Sequence, residues 1–199
     1  MSMIMYLITG ELPISRQLKI LKRLMPLGID YLQYRNKAAD QKTAYNEALQ
    51  YKVLCDLYGT RFIINDCIEV AKAVNASGVH LGEKDVSIET ALETLGHTRI
   101  VGRTAKTVEQ AKLAEFLGAH YIGVGAFYPS KTKKEALPMT KTTLIEIREA
   151  VTLPIFAIGG LTPDNITRDI IDYVDGFAFS NAIWYAERPE EVLQSFKMF

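Results

Sequence analysis

Residues 61–81 decide the fold: Arg61-Phe-Ile-Ile-Asn65, then Asp66-Cys-Ile-Glu-Val-Ala-Lys-Ala-Val-Asn-Ala-Ser77, then Gly78-Val-His-Leu81. An apolar run ends in an amide and a carboxylate, a helical stretch follows, and a small-residue turn delivers the chain into a second apolar run. Runs that are apolar at consecutive positions are expected of strands covered on both faces in a parallel sheet. The unit recurs on both sides. The strands predicted are Ile4–Thr9, Tyr31–Arg35, Arg61–Asn65, Gly78–Leu81, Arg99–Arg103, Tyr121–Gly125, Pro154–Ile158 and Gly176–Ser180. Between them Ile14, Leu18, Leu21 and Met25 share one helix face, and Leu144, Ile147 and Val151 another. Thr107-Val-Glu-Gln110 reads as a capping box, while Thr162-Pro163 and Arg188-Pro189 place proline in a first helical turn.

A weak echo opens several strands: Gly28-Ile-Asp-Tyr31, Ser77-Gly-Val-His80, Gly118-Ala-His-Tyr121 and Val174-Asp-Gly-Phe177. Glycine there supplies a left-handed helix C-cap. The irregular spacing marks a strand–helix module and not a solenoid repeat. Eight runs in 199 residues leave about 25 per unit, tight but sufficient for a single (β/α)8 TIM-barrel domain over residues 1–199. An open doubly wound sheet is the competitor and usually needs fewer strands.

Composition narrows the function. With 23 basic and 23 acidic side chains, nothing supports a nucleic-acid coat or a polybasic membrane binder. Cys55 and Cys67 make neither a disulfide scaffold nor a CxxC knuckle, and His80, His97 and His120 have no zinc spacing. The opening MSMIMYLITGELP lacks a basic leader and a small-residue cleavage site, and no run approaches the ~20 apolar residues of a membrane span. The expectation is a cytoplasmic protein acting on small molecules, with its oligomeric state left open.

In such barrels chemistry sits where strands end. Gln33 and Arg35 are two apart, so both point into the barrel; the guanidinium there meets an anion or pairs with a core carboxylate. Lys37 follows. Asn65 and Asp66 end the third strand, where Asp66 is either functional or a helix N-cap. His80 reads as a structural residue, with no partner visible in sequence. Asp85 either caps the next helix or joins Asp66 on the neighbouring strand, and two carboxylates with room for waters suit Mg²⁺. Thr104 offers a hydroxyl, and Lys106 alone is solvated surface. Gly123 and Gly125 let the sixth strand approach a ligand closely; its loop then carries Ser130, Thr132 and Lys131, Lys133 and Lys134, a set that is ordinarily just solvated. Gly159-Gly160 and Ser180-Asn181 stand after strands seven and eight, where backbone N–H groups of this fold recurrently hold phosphate. Cys67 reads as a small core or rim residue. The rim has more anion-handling capacity than one monophosphate requires, which points to a second, metal-bridged phosphate or diphosphate.

Gln33-Tyr-Arg-Asn-Lys37, Ile64-Asn-Asp66, Gly78-Val-His-Leu-Gly82 with Asp85, Tyr121-Ile-Gly-Val-Gly125, Pro129-Ser-Lys-Thr-Lys-Lys134 and Ala157-Ile-Gly-Gly160 together resemble the thiamine phosphate synthase and TenI family along nearly the whole chain. The resemblance implies a TIM barrel that joins a hydroxymethylpyrimidine diphosphate to a thiazole phosphate, releasing pyrophosphate with Mg²⁺. By that likeness Gln33 bonds the pyrimidine. Arg35, Lys37, Asn65 and Lys133 hold the diphosphate, with Arg35, Lys37 and Lys133 as catalytic residues, and Asp66 and Asp85 bind Mg²⁺. Ser130 and Thr132 line the thiazole side, and Gly159, Gly160, Ser180 and Asn181 take its phosphate. The chain departs from the family pattern at Cys67, where arginine is usual, at Thr104-Ala-Lys106, where Ser-Thr-His is common, and at Ser180-Asn181, where Val-Ser is usual. The TenI-like thiazole tautomerases are the alternative, but they use a histidine where Ala126 stands and tend to lack the Asn-Asp pair. A non-catalytic regulatory barrel is the third reading. A Schiff-base aldolase is disfavoured, because Lys133 lies in a basic loop and not on a desolvated strand.

Overall fold

The computed structural model describes residues 2–129 and 139–199. Eight parallel strands close in sequence order: β1 (Ile4–Ile8), β2 (Tyr31–Tyr34), β3 (Arg61–Asn65), β4 (Gly78–Leu81), β5 (Ile100–Ala105), β6 (Tyr121–Gly125), β7 (Ile155–Ile158) and β8 (Gly176–Phe179). The pairing of β8 with β1, Gly176 opposite Ile4 through Phe179 opposite Leu7, shuts the cylinder and excludes the open sheet. The helices are α1 (Ile14–Leu24), α2 (Gln41–Tyr58), α3 (Ile68–Ala73), α4 (Ile88–Leu95), α5 (Val108–Phe116), α6 (Lys141–Ala150), α7 (Arg168–Ile171), α8 (Asn181–Trp184) and α9 (Pro189–Phe196). None among the described residues is long and apolar enough to cross a membrane.

Two apolar layers hold the barrel. Outward strand residues such as Leu7, Leu32, Ile64, Val79, Ile122 and Ala157 meet buried helix residues including Leu21, Ala48, Leu92, Ala111 and Leu144. Inside, Tyr6, Ile8, Ile63, Tyr121, Phe156 and Ala178 fill the cylinder. The alternation along each strand therefore fixes which residues reach the mouth. Arg35, Asn65, Thr104 and Ser180 continue the inward-facing rows of Gln33, Ile63, Gly102 and Ala178.

Several local expectations change. Strand β5 starts at Ile100 and runs on to Ala105, so Thr104 is a strand residue. Thr162-Pro163 opens a turn, and the helix waits until Arg168. Asn165 causes this, since its Oδ1 accepts from the Thr162 N–H (2.8 Å) and its Nδ2 donates to the Gly160 carbonyl (2.8 Å). The Thr107 hydroxyl does accept from the Gln110 N–H (3.2 Å), but Gln110 Oε1 reaches back to the Lys106 N–H (2.8 Å), one residue before the cap. Arg188-Pro189 opens α9 as read.

The glycine echo has two physical causes. Gly28 and Gly118 adopt φ of 89°, turning the chain after a helix. Gly78 and Gly176 lie inside strands, where a Cβ would come 1.9 Å from the Ile100 carbonyl oxygen and 2.4 Å from that of Ile4. Glycines on β5 and β6 serve the protein's own rings. A Cβ on Gly102 would lie 2.0 Å from Tyr121 Cζ, and one on Gly123 would lie 3.3 Å from His80 Cε1. Overpacking of a fixed ring of this kind costs about 1–3 kcal/mol, so Gly102→Ala is expected to lower the melting temperature by several degrees. An unchanged melt would show that Tyr121 is free to move aside.

Candidate active site

The mouth is built where β2 to β5 end. Thr9, just past β1, clamps the first element. Its hydroxyl accepts from the Arg35 N–H (2.8 Å) and donates to the Arg35 carbonyl (3.1 Å). The backbone of Arg35 is thus fixed while its guanidinium engages no other described residue, so the reading as a core ion pair falls away. Lys37 Nζ lies 3.9 Å from Asp66 Oδ2, both near the surface.

The carboxylates settle the question of caps. Helix α3 is preceded by Cys67, which makes no side-chain cap, and α4 is capped by Ser87, whose hydroxyl accepts from the Thr90 N–H (3.1 Å). Neither Asp66 nor Asp85 is spent as a cap. Asp66 leaves β3 with φ of 64°, its N–H donating to the His80 carbonyl (2.9 Å). Asp85 turns back on its own loop, Oδ2 accepting from the Gly82 N–H (2.6 Å). The two side chains face each other. Burial, and the Asp85 carboxylate beside it, push the Asp66 carboxyl up to about 6 against the pull of Lys37 and Asn65. The pair is electrostatically uncomfortable without a cation, and hard oxygen donors are what Mg²⁺ takes. The pair would give such an ion two carboxylates and leave the rest of its shell to water or phosphate oxygens.

That strain has a measurable sign. A folded-state pKa raised above the unfolded value means the native protein holds more protons between about pH 4 and 6, so stability at this site falls as pH rises through that window. The Asp66 side chain is 33% exposed, and solvent screening holds the effect to the order of 1 kcal/mol. In metal-free protein Asp66→Asn is therefore expected to melt above wild type at pH 7, with the gap closing toward pH 4. Equal melting temperatures across that range would contradict the clash.

A cleft of about 560 Å³ opens beside this pair, lined by Asn36, Lys37, Asn65, Asp66 and Cys67. Cys67 is half-buried, with its thiol 3.4 Å from Glu69 Oε2, and burial raises its pKa. It is a rim residue, as read. Across the mouth, Thr104 Oγ1 lies 3.0 Å from His80 Nε2. Lys106 instead pairs with Glu83 at the surface (3.5 Å). Gly159 and Gly160 take φ of 102° and 66°; Tyr128 donates its N–H to the Gly159 carbonyl (3.0 Å), and a Cβ on Gly160 would meet the Tyr128 carbonyl at 2.7 Å. The turn must be glycine because the β6 loop lies on it. Ser180 directs its hydroxyl to the Thr9 carbonyl (3.4 Å), and Asn181 begins α8. Ser130, Thr132 and Lys133 lie outside the described residues.

A family model described as thiamine monophosphate synthase matches residues 5–183. The chain belongs to the thiamine monophosphate synthase family. Members of this family with curated names agree: thiamine-phosphate synthase of Clostridium perfringens strain 13 is 36% identical over 193 residues, covering 96% of this chain and 93% of its own. That of Methanobrevibacter smithii is 37% identical, covering 97% and 95%. Among solved structures, thiamine phosphate pyrophosphorylase from Pyrococcus furiosus superposes with a TM-score of 0.85 at 30% identity, covering 98% of this chain and 94% of its own. A 3-hexulose-6-phosphate synthase superposes with a TM-score of 0.74 at 12% identity, a likeness of fold alone.

Reasoning from sequence missed three side chains that hold the candidate site residues. Thr9 fixes Arg35, Tyr6 on the neighbouring strand bonds Gln33, and Tyr121 bonds His80 inside the barrel. The available signal was a tyrosine at an inward position of strands otherwise made of aliphatic residues and glycine.

Proposed function

We propose that residues 1–199 work as one catalytic domain, a thiamine phosphate synthase that joins a hydroxymethylpyrimidine diphosphate to a thiazole phosphate with release of pyrophosphate. The observation that carries this reading is the facing Asp66–Asp85 pair beside an inward guanidinium, Arg35, that no described residue neutralises. A site of that kind is poised for a metal-bridged polyanion.

The reaction asks little covalent chemistry of the protein. The bond from the benzylic-type carbon to the diphosphate oxygen breaks with its electron pair, the aminopyrimidine ring donates into the resulting cation, and the thiazole nitrogen lone pair forms the new C–N bond. Asp66 and Asp85 would hold Mg²⁺, which would supply charge neutralisation for the leaving diphosphate when bound. Arg35, Lys37, Asn65 and Lys133 hold that group, and Thr104 lines the substrate pocket opposite. Gln33 bonds the pyrimidine. The family resemblance assigns Ser130 and Thr132 to the thiazole, and the Gly159–Gly160 turn with Ser180 and Asn181 anchors its phosphate so that the nitrogen stands in line. No general base is required. The polyanionic substrates suit an enzyme working in the cytoplasm.

The tautomerase reading differs in needing only the thiazole side, with a proton carrier where this chain has Ala126. Incubation with thiazole carboxylate phosphate alone tests it. The synthase reading expects no isomerisation, and turnover without any pyrimidine would overturn it.

A further inference from the structure

Five polar side chains cross the inside of the barrel in one hydrogen-bonded line from β2 to β5. Gln33 Nε2 lies 2.8 Å from Tyr6 Oη, which lies 2.7 Å from Tyr121 Oη. Tyr121 Oη lies 3.0 Å from His80 Nδ1, and His80 Nε2 lies 3.0 Å from Thr104 Oγ1. The inner members are enclosed, Tyr6 and Tyr121 each 2% exposed and His80 8%.

Proton accounting gives the line a direction. The Gln33 amide nitrogen can only donate, so it gives a proton to Tyr6 Oη. Among the described residues the acceptor beside Tyr6 for its own proton is then Tyr121 Oη. Tyr121 in turn gives its proton to His80 Nδ1, which puts the proton of a neutral imidazole on Nε2, facing Thr104. Thr104 accepts it and keeps a hydroxyl proton to donate elsewhere. The reverse direction would leave the enclosed Tyr6 proton without an acceptor, a costly arrangement. Burial raises both phenols well above the ordinary tyrosine value, so each holds the proton it passes along. At the other end, Gln33 Oε1 engages no described residue. Gln33 is 3% exposed, and since no fully buried side-chain oxygen or nitrogen lacks a partner among the described residues, that oxygen keeps a small contact with solvent.

We propose that Tyr6, Tyr121 and His80 are positioning residues, a directional relay that presents Gln33 Oε1 to the substrate as a fixed acceptor and the Thr104 hydroxyl as a fixed donor. The inference rests on the proposed function in one respect: the acceptor would select the amino group of an aminopyrimidine over a keto oxygen, the form in which a hydroxypyrimidine presents that position. A glutamine free to flip could accept from one and donate to the other, and the relay removes that freedom.

The relay is tested first without substrate, in the wild-type chain. Long-range ¹⁵N–¹H correlations of ¹⁵N-histidine protein, assigned by His97→Gln and His120→Gln, are expected to show His80 as the Nε2–H tautomer. The Nδ1–H tautomer would overturn the direction. The second test uses Tyr121→Phe, which keeps the ring in place. The KM for the pyrimidine diphosphate is expected to rise about 10-fold and selectivity against a hydroxypyrimidine analogue to fall, with the KM for thiazole phosphate unchanged. An equal rise in both KM values, or in neither, would overturn the positioning role. If the wild-type chain releases no pyrophosphate, the functional reading fails, and the tautomer measurement still decides the relay.

Discussion

Asp66→Ala and Asp85→Ala are each expected to lower turnover about 10²- to 10³-fold while leaving the barrel folded, the scale of losing one preorganised electrostatic element from a reacting site. The two carboxylates do no capping work, which falls to Ser87 for α4 and to no side chain for α3. Removing either therefore takes nothing from the helices. Removing either also relieves the mutual repulsion that pushes the Asp66 carboxyl up to about 6, so Asp66→Ala should melt no lower than wild type in the absence of metal, while Asp85→Ala also gives up the bond from the Gly82 N–H and should stay folded with a slightly lower melt. The paired measurement is steady-state pyrophosphate release beside a thermal melt. Activity lost together with the fold would reduce both residues to structural roles, and wild-type activity untouched by exhaustive chelation would remove the metal from the account.

Arg35→Ala is expected to abolish coupling, by at least about 10²-fold, and to leave thiazole phosphate binding within a few-fold of wild type. The guanidinium engages no described residue, so its deletion orphans no partner, and Thr9 continues to hold the backbone at that position. Its strand end lies beside Asp66 and Lys37, at the diphosphate end in the proposed arrangement and away from the Gly159–Gly160 turn. Titration calorimetry with thiazole phosphate alone separates the two anion sites. A comparable loss of that binding would mean that the mouth holds one anion site and not two.

The barrel was legible because strands buried on both faces are apolar at consecutive residues, and eight such runs appear in register with the eight strands found. The rim was legible for the same reason in reverse: a polar residue two positions beyond an inward-facing one must surface at the mouth, as Arg35, Asn65 and Thr104 do. Choices between a cap and a site were not legible for Asp66 and Asp85, since Ser87 and Asp85 compete for one helix start and only the backbone path decides. Glycines were legible as close approaches but not as approaches to what; Gly102 and Gly123 make room for Tyr121 and His80. The line from Gln33 to Thr104 was invisible for a topological reason. Tyr6 and Tyr121 are 115 residues apart, and barrel closure alone brings their hydroxyls together. Thr162-Pro163 misled because Asn165 offered the backbone a turn in place of a helix.

Pyrophosphate release, followed in four mixtures of the wild-type chain, tests the central claim most directly: both substrates with Mg²⁺, each substrate alone with Mg²⁺, and both with chelator. The account predicts pyrophosphate and thiamine phosphate in equal amounts from the first mixture and from none of the others. Binding of both substrates without pyrophosphate, or pyrophosphate from the pyrimidine diphosphate alone at the same rate, would contradict it.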